Sequence, residues 1–379
     1  MAETVSIVKC QNYDSENVYQ KIKEGMDLLG GMGAFVGNGE RVLLKPNFLV
    51  GRAPEKCVNT HPEVVRAVAR LVLEAGARPM IGDGPQRGLA SKVAEKCGVA
   101  DVARELGIEI VEFEPVEVQH PEGKHFKQFV VGKVVLEADK IINLPKLKTH
   151  TLTCMTLAVK NLFGCIPGMK KAQWHVRTSQ SGTEYFAKVL VDLYSLIRPA
   201  LSIVDGVVSM EGKGPGFGDP RELGLIFSGT DALSVDAVIA GVLELRPEDF
   251  PTQKAALDDG YESGRLENID VRGQGIEQVR VSDFVFPQKR TEITGFMKTF
   301  MGFLKGQLTT HPFIVHEKCK ECNSCVEACP LKCIAEQEGG LMIETKKCIQ
   351  CFCCMEVCPE AAVDLKDGSL TRVVNLFRK

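Results

Sequence analysis

Cys319-Lys-Glu-Cys322-Asn-Ser-Cys325-Val-Glu-Ala-Cys329-Pro330 and Cys348-Ile-Gln-Cys351-Phe-Cys-Cys354-Met-Glu-Val-Cys358-Pro359 are two copies of one pattern, C-x2-C-x2-C-x3-C-P. A tight loop with this spacing lets three thiolates grip one iron–sulfur cubane, while the fourth cysteine of each run ligates the other cubane. The spacing therefore assigns Cys319, Cys322, Cys325 and Cys358 to one [4Fe–4S] cluster. Cys348, Cys351, Cys354 and Cys329 are assigned to its neighbour. Zinc knuckles also use C-x2-C pairs, but two complete copies with proline after each fourth cysteine are not a zinc pattern. Cys333 and Cys353 fall outside the pattern and read as bystander thiols, with Cys353 placed inside the second loop where it can tune a cluster.

Between the runs, Ile334 to Ile343 bracket Gly339-Gly340, a hairpin pattern. This is the layout of a bacterial-type two-cluster ferredoxin of α+β class. Of the 15 cysteines in the 379-residue chain, only Cys10, Cys57, Cys97, Cys154 and Cys165 precede the runs, which marks the tail as a separate domain. Disulfides are not expected, because the implied compartment is the cytoplasm, which keeps thiols reduced. The N-terminus has neither the basic region nor the long apolar stretch of a signal peptide. No apolar run reaches the roughly 18 residues of a membrane span. A net charge of -3 and 6% aromatic content argue against nucleic acid.

Ahead of the tail, short apolar runs alternate with amphipathic stretches. Val5–Val8, Val42–Leu44, Met80–Ile81, Ile108–Phe113, Ile141–Leu144, Leu201–Val204 and Leu225–Phe227 are expected strands. His61 to Ala75 is the clearest helix, with Val64, Val65, Val68, Leu71 and Val72 on one face, Thr60 as N-cap and Glu63 completing a capping box. Strands alternating with helices predict an α/β fold with a largely parallel sheet flanked by helices. Ligands of such sheets gather at the carboxyl ends of the strands. The residues following the expected strands are polar: Lys45, Asn47, Asp83, Lys146, Lys148, His150 and Asp205, with Gly214 to Gly218 as a glycine-rich turn. The densest stretch, Lys146 to His175, adds Lys160 within an apolar run, then Asn161 and His175. There is no G-x-x-x-x-G-K-[ST] and no strand–G-x-G-x-x-G–helix unit, so a nicotinamide cofactor is unsupported and flavin unmotivated. Ile293 to Leu308 reads as an amphipathic linker helix. The expected domains are 1–288, a linker 289–311, and 312–379.

Lys45-Pro-Asn, Lys146-x-Lys148-x-His150, Thr156-Leu-Ala-Val-Lys160-Asn161-Leu-Phe-Gly164 and Asp205-Gly206 resemble the iron–sulfur family catalogued as domain of unknown function 362. The resemblance covers nearly the whole chain and implies a fold without naming a reaction. The run from Ala138 through His150, Lys160, Ile166-Pro-Gly and His175 is also similar in order to the N-terminal domain of nickel-pincer lactate racemases. That likeness implies Lys160 as cofactor tether, His175 as nickel ligand and His150 as acid/base. The sequence departs from it in the Leu157-Ala-Val flank of Lys160 and in its added clusters.

The expectation is an oxidoreductase of anaerobic metabolism in which the clusters pass electrons to a small anionic or oxo substrate, or to a second cofactor. Lys148, His150, Lys160 and His175 are its catalytic candidates, and Lys45, Asn47, Asp83, Lys146, Asn161 and Asp205 bind the substrate. The competing expectation is an electron-transfer subunit that docks a redox partner protein and does no chemistry.

Overall fold

A computed structural model of the chain describes residues 3–168, 170–178, 182–287, 310–337 and 339–367. The expected linker helix, Ile293 to Leu308, lies outside the described residues. The chain forms two compact units, one of residues 1–171 with 183–287 and one of residues 172–182 with 288–379.

The first unit is built on strands β1 (Glu3–Lys9), β2 (Arg41–Pro46), β3 (Arg78–Gly82), β4 (Ile110–Val111), β5 (Pro115–Gln119), β6 (Gln128–Gly132), β7 (Lys140–Leu144), β8 (Lys146–His150), β9 (Cys154–Thr156), β10 (Leu201–Glu211), β11 (Asp219–Gly229) and β12 (Ile269–Gly273). A ten-stranded sheet runs β12-β1-β11-β10-β7-β2-β3-β4, with β8 beside β10 and β9 beside β8. The pairs β2–β3, β2–β7, β3–β4, β7–β10, β8–β10 and β1–β12 are parallel, while β11 runs antiparallel to both neighbours. β5 and β6 form a separate hairpin.

The central strands β2 and β7 are buried beyond their first residues, as parallel strands covered on both faces must be. Helix α1 (Ser15–Asp27) buries Val18, Ile22 and Met26, and Asp14 caps it by accepting from the Asn17 N–H. Helix α2 (Pro62–Glu74) buries Val64, Val65, Val68, Leu71 and Val72. Each of these side chains contributes roughly 1.5–3 kcal/mol relative to an exposed position. Tyr19 of α1 donates to Glu74 of α2 at 2.7 Å, tying the two helices together.

Four local expectations change. The N-cap of α2 is His61, whose Nδ1 accepts from the Glu63 N–H. Thr60 instead donates its hydroxyl to the Leu144 carbonyl at 2.6 Å and accepts from the Asn47 N–H at 2.8 Å, so it ties the end of β2 to that of β7. The strand expected over Ile108–Phe113 shrinks to β4, because the Glu112 carboxylate turns to accept the Ala90 and Ser91 N–H groups at the start of the helix Ala90–Lys96. Asp205 and Gly206 lie inside β10, which runs to Glu211 with a register shift between Gly206 and Val208. Lys146 to His150 form a strand, not a loop: Pro145 interrupts the line of β7, and the chain continues as β8 along the far half of β10.

In the second unit β13 (Thr310–Ile314) pairs antiparallel with β16 (Val363–Asp367), and β14 (Ile334–Gln337) with β15 (Gly340–Ile343). Gly339 and Gly340 take φ of 99° and 113° at the expected hairpin, a region open to glycine. Short helices span Ser324–Ala328 and Cys353–Val357. The two cysteine runs repeat each other in backbone detail. Glu321, Asn323 and Lys332 have φ of 51°, 58° and 51°, and their equivalents Gln350, Phe352 and Ala361 have 57°, 59° and 52°.

Candidate functional site

Parallel pairing decides which side chains meet at the carboxyl ends of the strands. Register places Lys45 of β2 beside Asn143 of β7, and Asp83 follows directly on β3. Lys45 Nζ stands 2.8 Å from Asp83 Oδ1, with the two side chains 0% and 2% exposed. Lys45 also donates to the Pro46 carbonyl at 3.0 Å. Asp83 Oδ2 accepts from the Phe48 N–H at 2.7 Å, which fastens the loop after β2 to the loop after β3. Oδ1 is held by this charged contact with Lys45. Gly164 lies against the pair so closely that a Cβ there would overlap Asp83 Oδ1 and Lys45 Nζ. Gly84 donates to the Gly164 carbonyl at 2.9 Å, and a Cβ on Gly84 would stand 2.8 Å from the same oxygen.

Lys171 closes this cluster and donates to the Gly84 carbonyl. Burial pushes its ammonium down to about 8; Asp83 opposes that shift, and Lys45 and Lys160 add to it. Asp83 is thus paired with Lys45 and also favours the charged form of Lys171. In the loops that follow β2 and β3, the buried Asn47 Oδ1 and Gln86 Nε2 have no hydrogen-bond partner among the described residues. Native interiors leave few such atoms, and each asks for an explanation.

A chain of amides extends the cluster. Asn47 Nδ2 donates to Asn161 Oδ1 at 2.9 Å, Asn161 Nδ2 to Asn143 Oδ1 at 2.9 Å, and Asn143 Nδ2 to the Ala158 carbonyl and Ser202 Oγ. The short helix Ala158–Asn161 carries both Lys160 and Asn161. Asp236 accepts the Ala158 and Val159 N–H groups at 2.7 and 3.2 Å. Burial raises the Asp236 carboxyl to about 8 despite those two donors, so it is largely protonated at neutral pH.

A second buried pair sits where β8 meets β10. Register sets Lys146 opposite Asp205, and Lys146 Nζ lies 2.9 Å from Asp205 Oδ2. Tyr13 OH donates to Asp205 Oδ1 at 2.7 Å and accepts from Lys146 at 2.8 Å and from the Val208 N–H at 3.1 Å. The His61 N–H donates to Asp205 Oδ2 at 3.0 Å, and the His61 ring stacks on Tyr13 at 3.5 Å. Burial outweighs the pull of Asp205 and lowers His61 to about 4, so its Nδ1 stays free to cap α2. Burial and the neighbouring Asp205 both raise Tyr13.

The other candidates are placed separately. Lys148 is buried in β8 and donates to the Val58 carbonyl at 2.5 Å. His150 is buried, with Nδ1 accepting from the Leu152 and Thr153 N–H groups at 3.0 and 3.3 Å in the turn to β9. His175 is buried within residues 172–182 and so belongs to the second unit, whereas Lys148, His150 and Lys160 belong to the first.

In the second unit one small cavity is lined by Cys319, Cys322, Cys325 and Cys358. Another is lined by Cys329, Cys348, Cys351 and Cys354, together with Cys333 and Cys353. Backbone N–H groups already point at four of the sulfurs: Glu321 at Cys319, Gln350 at Cys348, Cys333 at Cys329 and Ala362 at Cys358, all at 3.2–3.4 Å. Such donors stabilise thiolate ligands and tune cluster potential.

The family model described as a domain of unknown function (DUF362) matches residues 42–241, more than half of the chain. The chain belongs to the DUF362 family. A 4Fe-4S dicluster model matches residues 311–359, so this DUF362 protein carries two [4Fe–4S] clusters in its C-terminal region. A thylakoid-associated protein of Synechocystis sp. is 43% identical over 255 residues, which is 67% of this chain and 79% of that protein. Among solved structures, the lactate racemase apoprotein from Thermoanaerobacterium thermosaccharolyticum is weakly similar, with TM-score 0.36 and 11% identity. The match covers 55% of this chain and about half, 51%, of that one.

Sequence reasoning passed over Lys171, Gln86, Tyr13, His61 and Asp236. Lys171 lay in the dense stretch, but nothing local distinguishes it from Lys170, which is exposed. For Asp236, an acid inside the apolar run Ala232–Val242 was the available signal.

Proposed function

We propose that this DUF362 protein is an oxidoreductase whose α/β unit holds a small anionic, oxo-bearing substrate, or a second cofactor with such groups, at the ends of β2 and β3. The observation that carries this reading is the Lys45–Asp83–Lys171 cluster, with the unmet Asn47 Oδ1 and Gln86 Nε2 in the loops after β2 and β3. Two lysines near one carboxylate attract an anion, and Gln86 Nε2 and Asn47 Oδ1 offer it a donor and an acceptor. When bound, the two clusters supply electrons one at a time. Lys45 and Lys160 neutralise the negative charge that develops on the substrate oxygen. Lys171, with a proton affinity near neutral pH, is the proton donor. Asn161 and Asn143 orient Asn47. Lys148 and His150 are assigned to shaping the turn and strand beside the site, through their bonds to backbone groups.

A redox partner protein reloads the clusters in this scheme, and the setting is cytoplasmic. No helix among the described residues is long and apolar enough to cross a membrane. The thylakoid association of the Synechocystis relative makes attachment to a membrane surface the location to test against it by cell fractionation.

The deciding experiment uses anaerobically purified protein, extracted for organic cofactors and then reduced until its clusters bleach. Addition of a panel of small oxo-acids should restore the cluster colour in the wild type and not in Lys171→Met. If no oxo-acid reoxidises the clusters, and a redox partner protein exchanges electrons equally with both proteins, the chain is an electron carrier and the substrate reading is lost.

A further inference from the structure

The two cluster cavities differ in one respect that their repeated pattern does not announce. Cys333 stands four residues after Cys329, where Ala362 stands four residues after Cys358. The two positions are equivalent in the backbone. Each donates its N–H to the cysteine sulfur four residues earlier, at 3.3 and 3.2 Å, and each follows a left-handed residue, Lys332 or Ala361. The same turn therefore presents a methyl group to one cavity and a thiol to the other. Cys333 Sγ lies 3.3 Å from Cys329 Sγ and also contacts the Cys348 side chain. Cys333 itself is buried on the cavity wall.

We propose that Cys333 is an alternative ligand of the second cluster, taking the place of Cys329. A change of rotamer moves a cysteine sulfur over a distance of this order. The exchange breaks the iron bond to Cys329 and forms one to Cys333. The proton leaving Cys333 goes to Cys329, so neither the charge nor the oxidation state of the cluster changes. Cys329 is the one ligand of this cluster assigned to the first run, and Cys333 opens the hairpin beyond it, its carbonyl held by the Glu344 N–H at 2.7 Å. The first cluster has no such reserve, because Ala362 occupies the matching position. This inference rests on the cluster assignment and is independent of the substrate reading.

The test is iron and sulfide content, with EPR of the reduced protein, on four anaerobically purified full-length variants. Cys329→Ala should keep the iron of the wild type, and Cys329→Ala/Cys333→Ala should lose half of it. Cys358→Ala should lose half, and Cys358→Ala/Ala362→Cys should regain it. Equal iron in Cys329→Ala and its double variant, whether full or half, overturns the proposal. So does an insoluble Cys329→Ala, since the replacement ligand is what should keep that unit assembled.

Discussion

Two lysine–aspartate pairs are buried in the same sheet, and they are built differently. Lys146–Asp205 is closed: both carboxylate oxygens are hydrogen-bonded, by Tyr13 and by Lys146 with the His61 N–H, and one cation meets one anion. Lys45–Asp83 is more open: Lys171 also acts on the same carboxylate, and Asn47 and Gln86, in the loops after β2 and β3, keep unmet polar atoms. A satisfied pair specifies how strands meet, whereas unmet polar atoms leave free energy to be recovered by a ligand. The difference separates a structural lock from the pair on which the proposed substrate site rests.

The largest effect expected from that contrast is at the lock. Lys146→Ala leaves Asp205 as a buried charge without its cation and should cost about 3–5 kcal/mol in urea unfolding. Lys45→Ala should cost less, because Lys171 remains to face Asp83; an equal or larger loss would erase the distinction between the pairs. Next comes the pH dependence of Lys171. Its folded-state affinity for a proton is depressed from 10.5 to about 8. The unfolded chain therefore binds more protons between those values, and stability rises with pH across that window. Against Lys171→Met, the wild type should gain up to about 3 kcal/mol from pH 8 to 10.5. Parallel stability curves would show that Lys171 is not buried beside Lys45. The smallest effect is at Asn47. Asn47→Ala removes the donor to Asn161 Oδ1 and should cost about 1–2 kcal/mol, while abolishing reoxidation of the reduced clusters by the substrate that Lys171 also serves.

Legibility followed the distance between partners along the chain. The two clusters were readable because each run spans only eleven residues from its first to its last cysteine, and loop spacing dictates how three thiolates can converge. Of the polar positions after the strands, Lys45, Asn47, Asp83 and Asn161 come together, because parallel pairing aligns the strand ends. Lys146 and Asp205 meet as well, but in the separate closed pair. Lys171 could not be told from Lys170, because its partner Gly84 lies 87 residues away. Thr60 looked like a helix cap from its neighbours alone, yet Leu144, 84 residues on, takes its hydroxyl.

The amino-acid sequence by itself determined the class of the two units, the two clusters and the places where polar groups would gather, because periodicity and short spacings are properties of local chain geometry. Only the tertiary structure decided that β7 and β8 lie end to end along β10, and so which lysine faces which aspartate. It alone showed that one pair is closed and the other more open. Long-range register sets those partners, and a buried charge is defined by what surrounds it in space.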